Sequence, residues 1–329
     1  MRNKTLIITT LLLLLCLSTA WAGNQRRVGT AGAQELLIPI GSRGTAMGGA
    51  VIANTYGMES VFWNPAGLAS MEGTEAMFTH LPYIADIDVN FLGIATAIES
   101  FGTIAFSGKI VDLGSIDETT EEFPDGTGRK FTPTFAVIGA SYARILNANV
   151  SFGATANFIY EDIQNVSATG VGFDVGFIYE PRWRGLKLGL AIKNYGPQMQ
   201  FTGRGFESDL NGHQAAPQSS KFDLPSSINI GLSYDLVNEG PNHALASGNF
   251  RSNNLSQDLW QGGLEYVYNE NYMIRAGYSY SEQDEYIYGF SFGGGLRYAI
   301  GTTVLSFEYA WTDTDVFDAN QFFTLKFDF

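Results

Sequence analysis

Three histidines, one cysteine and a short run of aspartates are the residues best suited to holding a metal or moving a proton, and their spacing argues against both roles. His80, His213 and His243 stand far apart, and Cys16 sits in an apolar N-terminal run, so no zinc-type spacing exists. Asp313, Asp315 and Asp318, in TDTDVFD, offer the carboxylate oxygens calcium takes, but the Gly and closing Glu of an EF-hand loop are missing. The stretch reads as a hydrated loop. The acidic run from Asp117 to Asp125 (with Glu118, Glu121 and Glu122) reads the same way, with divalent-cation binding or repulsion of wrong partners as alternatives. Gly41, Gly44, Gly48 and Gly49 lack the Gly-Lys-Ser/Thr ending of a phosphate loop, and Gly170, Gly172 and Gly176 miss the dinucleotide spacing. Close packing or strand bending explains both sets better. No catalytic, cofactor-binding or metal-binding residue is expected, and the chain is not expected to be an enzyme.

The other charges of interest lie on strands. Leu305, Phe307, Tyr309 and Trp311 alternate with Ser306, Glu308, Ala310 and Thr312, a period of two that a helix cannot give. The last segment repeats the pattern, with Phe323, Leu325, Phe327 and Phe329 against Thr324, Lys326 and Asp328. A soluble sandwich could end on such a strand, but this one closes on Phe and resembles the assembly signal of outer-membrane barrels. Further segments lie near 286–298, 272–281, 258–268, 243–250, 226–236, 186–194, 169–180, 150–161, 132–145, 102–112, 87–98 and 74–82. With 302–312 and 320–329 they make fourteen, an even number, of about the length that crosses an outer membrane. The connections alternate between short turns, such as Glu99–Phe101 and Ile300–Gly301, and longer polar loops, chiefly 113–131 and 195–225. Tyr83–Asp86 is the exception, short where a long loop is wanted.

Fourteen strands of this kind predict an all-β, transmembrane antiparallel barrel. Its polar face carries Lys109, Asp174, Lys187, Lys193, Asp235, Glu265, Arg275, Arg297, Glu308, Lys326 and Asp328, six basic and five acidic side chains expected in the lumen. Glu265 falls opposite Arg275 in a 268-to-272 hairpin. So even a balance does not suit an ion-selective pore. A soluble barrel with a wet outer face would leave the Phe, Tyr and Trp face to be buried otherwise. Tyr160, Tyr179, Trp183, Trp260, Tyr268, Tyr272, Tyr298 and Trp311 fall near strand ends, where headgroups suit them.

The N-terminus supports export. Arg2 and Lys4 precede an apolar run, Leu6–Leu17, and Ala20-Trp21-Ala22 forms a signal-peptidase pattern, so residues 1–22 are expected to be a cleaved signal peptide. The run is short for a membrane anchor. Its removal leaves 17 basic against 33 acidic residues, a formal charge of −16, which disfavours nucleic acid as a partner. Residues 23–73 do not fit the strand pattern and are expected to form a hatch inside the barrel built by 74–329. Ala46–Ala53 is expected to be a short helix, and Asn64-Pro65 to turn the chain towards the wall.

GTAMGGAVIAN followed by ESVFWNPAGLASMEG resembles the hatch of the FadL-like (fatty-acid-transporter-like) outer-membrane barrels. Within that superfamily the chain is identified as a member of the PorV/PorQ family on FTPTFAVIGASYAR, SATGVGFDVGFIYEP and GLKLGLAIKNYGPQMQFTGRGF. The resemblance implies that Asn64, Pro65, Ala66 and Gly67 are hatch residues, although an ordinary turn before a first strand would read alike. It also implies a non-enzymatic role in type IX secretion, with outer loops that bind and pass on exported proteins. The alternative, drawn from the wider superfamily, is transport of long-chain fatty acids or other hydrophobic small molecules, with Gly93, Gly102 and Gly108 permitting the wall to open. A passive assembly partner of other envelope proteins is a third reading. Expected partners are outer-membrane lipid and the barrel-assembly machinery, with either cargo proteins or a hydrophobic small molecule.

Overall fold

Alternation of small or polar inward residues with apolar outward ones carries fourteen strands round a closed barrel in the computed structural model, which describes residues 30–181, 183, 185–204, 219–282, 286–315 and 317–329. The expected leader at 1–22, His213 and the middle of the loop after residue 204 lie outside the described residues. The strands are β1 (Thr74–Pro82), β2 (Asp88–Ile98), β3 (Gly102–Asp112), β4 (Thr134–Asn147), β5 (Val150–Ile163), β6 (Val166–Tyr179) and β7 (Lys187–Tyr195). They continue with β8 (Ser227–Glu239), β9 (Asn242–Asn253), β10 (Leu259–Tyr268), β11 (Tyr272–Tyr280), β12 (Phe290–Ile300), β13 (Thr303–Thr312) and β14 (Asn320–Asp328). Each pairs antiparallel with its neighbours. The last closes on the first, with Thr79 opposite Thr324 and Phe329 exchanging backbone hydrogen bonds with Thr74. Closure removes the sheet edges a membrane would not tolerate.

The outward face is apolar. Leu92, Phe106, Ile138, Ile230, Ile274 and Phe292 are each at least half exposed, a cost in water that lipid removes. Tyr179, Trp183, Tyr268, Tyr272 and Tyr298 ring the short-turn end, and Tyr160, Tyr195, Trp260 and Tyr280 the long-loop end. Phe323, Leu325 and Phe327 stand on this face of β14, and Phe329 follows them at its end.

Three local expectations are corrected. The helix expected over Ala46–Ala53 lies earlier, as α1 (Ser42–Ala46), because Gly48 and Gly49 take φ of +63° and +82° and end it. The wall is regular where Gly93, Gly102 and Gly108 suggested an opening, with unbroken β2–β3 and β3–β4 ladders. Register slips fall elsewhere: between Ile145 and Asn147 on β4, between Asp235 and Val237 on β8, and between Phe173 and Val175, beside Asn194 (φ +55°), where β6 meets β7. Finally, the loop after β3 holds a small hairpin, Ile116–Asp117 with Lys130–Phe131.

The N-terminal segment runs inside the barrel and is almost wholly buried from Ile40 to Leu68, Tyr56 excepted. After α1 come α2 (Ser60–Trp63) and a 3₁₀ turn, Pro65–Ser70; another 3₁₀ turn, Gln34–Leu37, precedes them. Inward glycines of the wall make room for it. A Cβ on Gly153 would overlap the Pro65 backbone, one on Gly176 the Asn64 side chain, and one on Gly277 the backbone at Met47. At Gly153 and Gly277 backbone approaches backbone, and at Gly176 a fully buried side chain does, so a Cβ would be excluded at each.

Candidate functional site

Asn64 is fully buried and joins three parts of the lumen. Pro65 forces it into extended backbone (φ −157°, ψ 107°), which frees its side chain to cap the following turn: Oδ1 accepts from Ala66 N at 3.1 Å. Its Nδ2 donates to Ile52 O at 2.8 Å and to Phe177 O of β6 at 3.2 Å. Pro65, Ala66 and Gly67 are buried in that turn, where a Cβ on Gly67 would press on Ser60 and Thr55.

The lumen charges are unevenly paired around the barrel. On the β10–β14 side Arg43, Arg275 and Lys326 are each paired with carboxylates. Glu265 stands opposite Arg275, whose Nε donates to Glu265 Oε2 at 2.6 Å, while Arg43 of α1 donates to both oxygens of the same carboxylate at 2.9 Å. Arg275 Nη1 reaches Glu308 at 3.1 Å, and Lys326 bridges Glu308 (3.3 Å) and Glu59 (3.1 Å). Three cations meet three carboxylates, and two of the pairings cross from inner segment to wall. Arg297 stands outside the network near Asp328, and Lys187 and Asp235 lie half exposed, paired with Glu180 and His243 respectively.

The β3–β9 side is different. Lys109 Nζ donates to the backbone carbonyls of Glu35 (2.6 Å) and Ile38 (3.0 Å). Lys193, 5% exposed, has its Nζ 3.7 Å from the centroid of the Phe62 ring. Arg251 Nε donates to Asn229 Oδ1 at 2.9 Å. None of the three forms an ion pair among the described residues. Asp174 accepts from Asn194 N (2.6 Å) and Asn157 (3.0 Å). Glu35 and Glu161 are both buried, and neither Glu35 carboxylate oxygen has a hydrogen-bond partner among the described residues; burial first, and the Glu161 charge second, pushes the Glu35 carboxyl up to about 8.

Two cavities meet this side. The larger, about 480 Å³, opens towards the long loops and is of the size that holds small molecules. Its lining is mainly apolar, with Ile38, Phe62, Val111, Leu113, Phe135 and Phe322, and also carries Ser279, Ser281, Ser291, Thr312, Asn253 and Arg251. Tyr83 and Tyr288, hydroxyls 2.6 Å apart, join two loops at its lining, and burial raises both above the ordinary tyrosine value. The smaller, about 40 Å³, is lined by Lys109, Asn157, Asp174, Lys193 and Asn194, with Leu36 and Phe62. The described ends of the loop after β7 turn inward, Met199 bridging Phe222, Thr202 bridging Ser167, and Asp223 bridging Ala31. Among the described residues no group of three His, Cys, Asp or Glu could hold a metal.

Solved structures share this barrel fold. The CymD monoaromatic hydrocarbon channel superposes with a TM-score of 0.57 at 14% identity, over 88% of this chain and 97% of that one. It has the fold of the FadL-like outer-membrane barrels. The Ralstonia pickettii toluene transporter TbuX (TM-score 0.56, 15% identity, 88% and 98% covered) and a Pseudomonas aeruginosa FadL homologue (0.53, 15%, 88% and 98%) agree. At these identities the likeness to the FadL-like barrels is one of fold. No family model and no curated protein matches the chain.

Arg43, Glu59, Phe62, Glu161 and Arg251 were not singled out from sequence. A lone arginine in GSRGTAMGG, a stretch too small and apolar for a surface, was the signal for Arg43, since a buried charge needs a partner. Arg251 lies one residue past the expected end of its strand.

Proposed function

We propose that the protein conducts hydrophobic small molecules across a bacterial outer membrane, taking them from outside into the chamber above the inner segment. The observation that carries the reading is that chamber: about 480 Å³, mainly apolar in its lining with a few polar groups, inside a barrel whose lumen is largely occupied by its own N-terminal segment. The solved neighbours described as a toluene transporter and a hydrocarbon channel support it. On this reading residues 1–22 are a cleaved signal peptide, 23–73 the hatch and 74–329 the barrel, whose Phe323, Leu325, Phe327 and Phe329 present the assembly signal. The short turns face the periplasm. The PorV/PorQ cargo-holding reading has less support, because the described parts of the loop after β7 pack over the lumen, where Met199 and Leu224 meet Leu36, Val137 and Ile159.

Uptake of a tritiated lipophilic probe by cells with and without the protein tests the proposal. Ser281→Trp, which fills the chamber from its lining, should reduce uptake to the level of cells lacking the protein. Undiminished uptake by a correctly assembled Ser281→Trp barrel would refute it.

A further inference from the structure

Tyr83–Asp86 is the connection too short for its end of the barrel, and the structure gives that turn a use. It is tight: Tyr83 N donates to Ile87 O at 2.7 Å, and Ala85 sits in left-handed backbone (φ 57°, ψ 42°). A residue with a Cβ keeps that conformation only where its surroundings hold it there. What the turn presents is Tyr83, which lines the chamber and whose hydroxyl lies 2.6 Å from that of Tyr288.

Tyr288 is anchored as firmly. The next residue, Gly289, accepts a backbone hydrogen bond from Ser279 of β11 at 3.1 Å. The Tyr286 hydroxyl lies 2.6 Å from Ser279 Oγ, and its ring meets that of Tyr288 edge-on at 5.8 Å. Between the two anchor points the wall runs through β12, β13, β14 and β1. From β12 to β1 that is about 14 Å of wall at the usual strand spacing. Two side chains that start so far apart on the rim, both line the chamber and still touch, meet over the lumen as a chord. Beneath the chord lie the outer ends of β12, β13 and β14. Ser291, Thr312 and Asn320 line the chamber there, where an open mouth would wet them, yet they are 2%, 7% and 2% exposed.

The bond that completes the chord joins two neutral hydroxyls, and water replaces either partner when the rings swing apart. Closure is therefore favoured by little, unlike the contacts of the ion-paired side of the lumen. We infer that Tyr83 and Tyr288 form the entry clasp of the chamber: rotation of the rings breaks one hydroxyl–hydroxyl bond and admits a solute, and their return shuts the mouth behind it. The inference rests on the uptake reading and deepens it by naming the residues that set the rate of entry.

The test places a thiol under the clasp. Ser291→Cys, in the full chain in lipid nanodiscs, is labelled with N-ethylmaleimide and the rate read by mass spectrometry; the chain's one cysteine, Cys16, lies in the expected leader. The initial rate of uptake of the tritiated lipophilic probe is measured in cells alongside. Tyr288→Phe keeps the ring and removes one hydroxyl, so it should speed both labelling and initial uptake by about two- to tenfold. The amount of probe bound at saturation should stay at the wild-type level. Tyr83→Phe should do the same, and the double change should be no faster than either alone, because both single changes remove the same bond. Labelling at the wild-type rate in either single variant, or effects that multiply in the double, would overturn the clasp. Faster labelling without faster uptake would overturn it as the ligand's entry and leave the chamber reading standing. Absence of uptake by the wild type, with labelling that still answers to the tyrosines, would refute the uptake reading and keep the clasp as a closure of the cavity.

Discussion

Replacing Asn64 by Ala should loosen the inner segment without opening the barrel. The substitution removes the cap on Ala66 N, which costs about 1 kcal/mol. It also leaves Ile52 O buried without its Nδ2 donor, a penalty of about 1–3 kcal/mol. Phe177 O belongs to a paired strand and loses only a secondary donor. The sum is about 2–4 kcal/mol, which is roughly a 30- to 700-fold faster opening at 1.4 kcal/mol per tenfold. Hydrogen exchange read by mass spectrometry in nanodiscs measures it: peptides from 41–70 should exchange faster by that factor while those of β1–β14 keep their protection. Asn64→Asp keeps the cap acceptor but turns an anionic oxygen towards two carbonyls, so it should loosen the segment more. Gly176→Ala, whose Cβ would overlap the Asn64 side chain, should give the same signature. Unchanged protection of 41–70 in Asn64→Ala, or equal loss throughout the strands, would refute the role assigned to Asn64.

Other substitutions probe the two halves of the lumen. Glu265→Gln leaves Arg43 and Arg275 facing each other without their carboxylate and should destabilise by about 3–5 kcal/mol in denaturant titrations. The triple change to methionine at 43, 265 and 275 should recover much of that loss. Because the Glu35 carboxyl is pushed up to about 8, its contribution to stability is complete below the ordinary value of 4.5 and is lost as pH rises from there to about 8. Thermal midpoints should therefore fall between pH 5 and pH 8.5, and Glu35→Gln should flatten that fall. Arg251→Met should weaken decanoate binding by about tenfold in calorimetry and leave 1-decanol unchanged, since only the charged headgroup gains from the guanidinium.

The strands were legible because lipid outside and a polar, glycine-rich lumen inside impose a strict period of two, and Glu265 and Arg275 could be matched because hairpin register is local. Contacts between inner segment and wall were not, since Arg43 and Glu265 are 222 residues apart and nothing in either neighbourhood names the other. The same holds for Glu59 and Lys326. β9, NHALASGNFRSN, has too few apolar residues to show its full length, so Arg251 was left outside it. Composition counts the lumen charges, but only the fold says which of them pair: Arg43, Arg275 and Lys326 meet carboxylates, whereas Lys109, Lys193 and Arg251 form no ion pair among the described residues. The Asn-Pro step in FWNPAGLAS announced a turn, whereas Phe62 gains its position from Lys193 on a distant strand.

The most direct test is native mass spectrometry of the protein extracted gently from the membrane in which it is made. A lipophilic small molecule should remain bound to the wild type and be lost from Ser281→Trp, whose barrel is intact. An empty chamber, with an exported protein held on the loops instead, would contradict the proposed function.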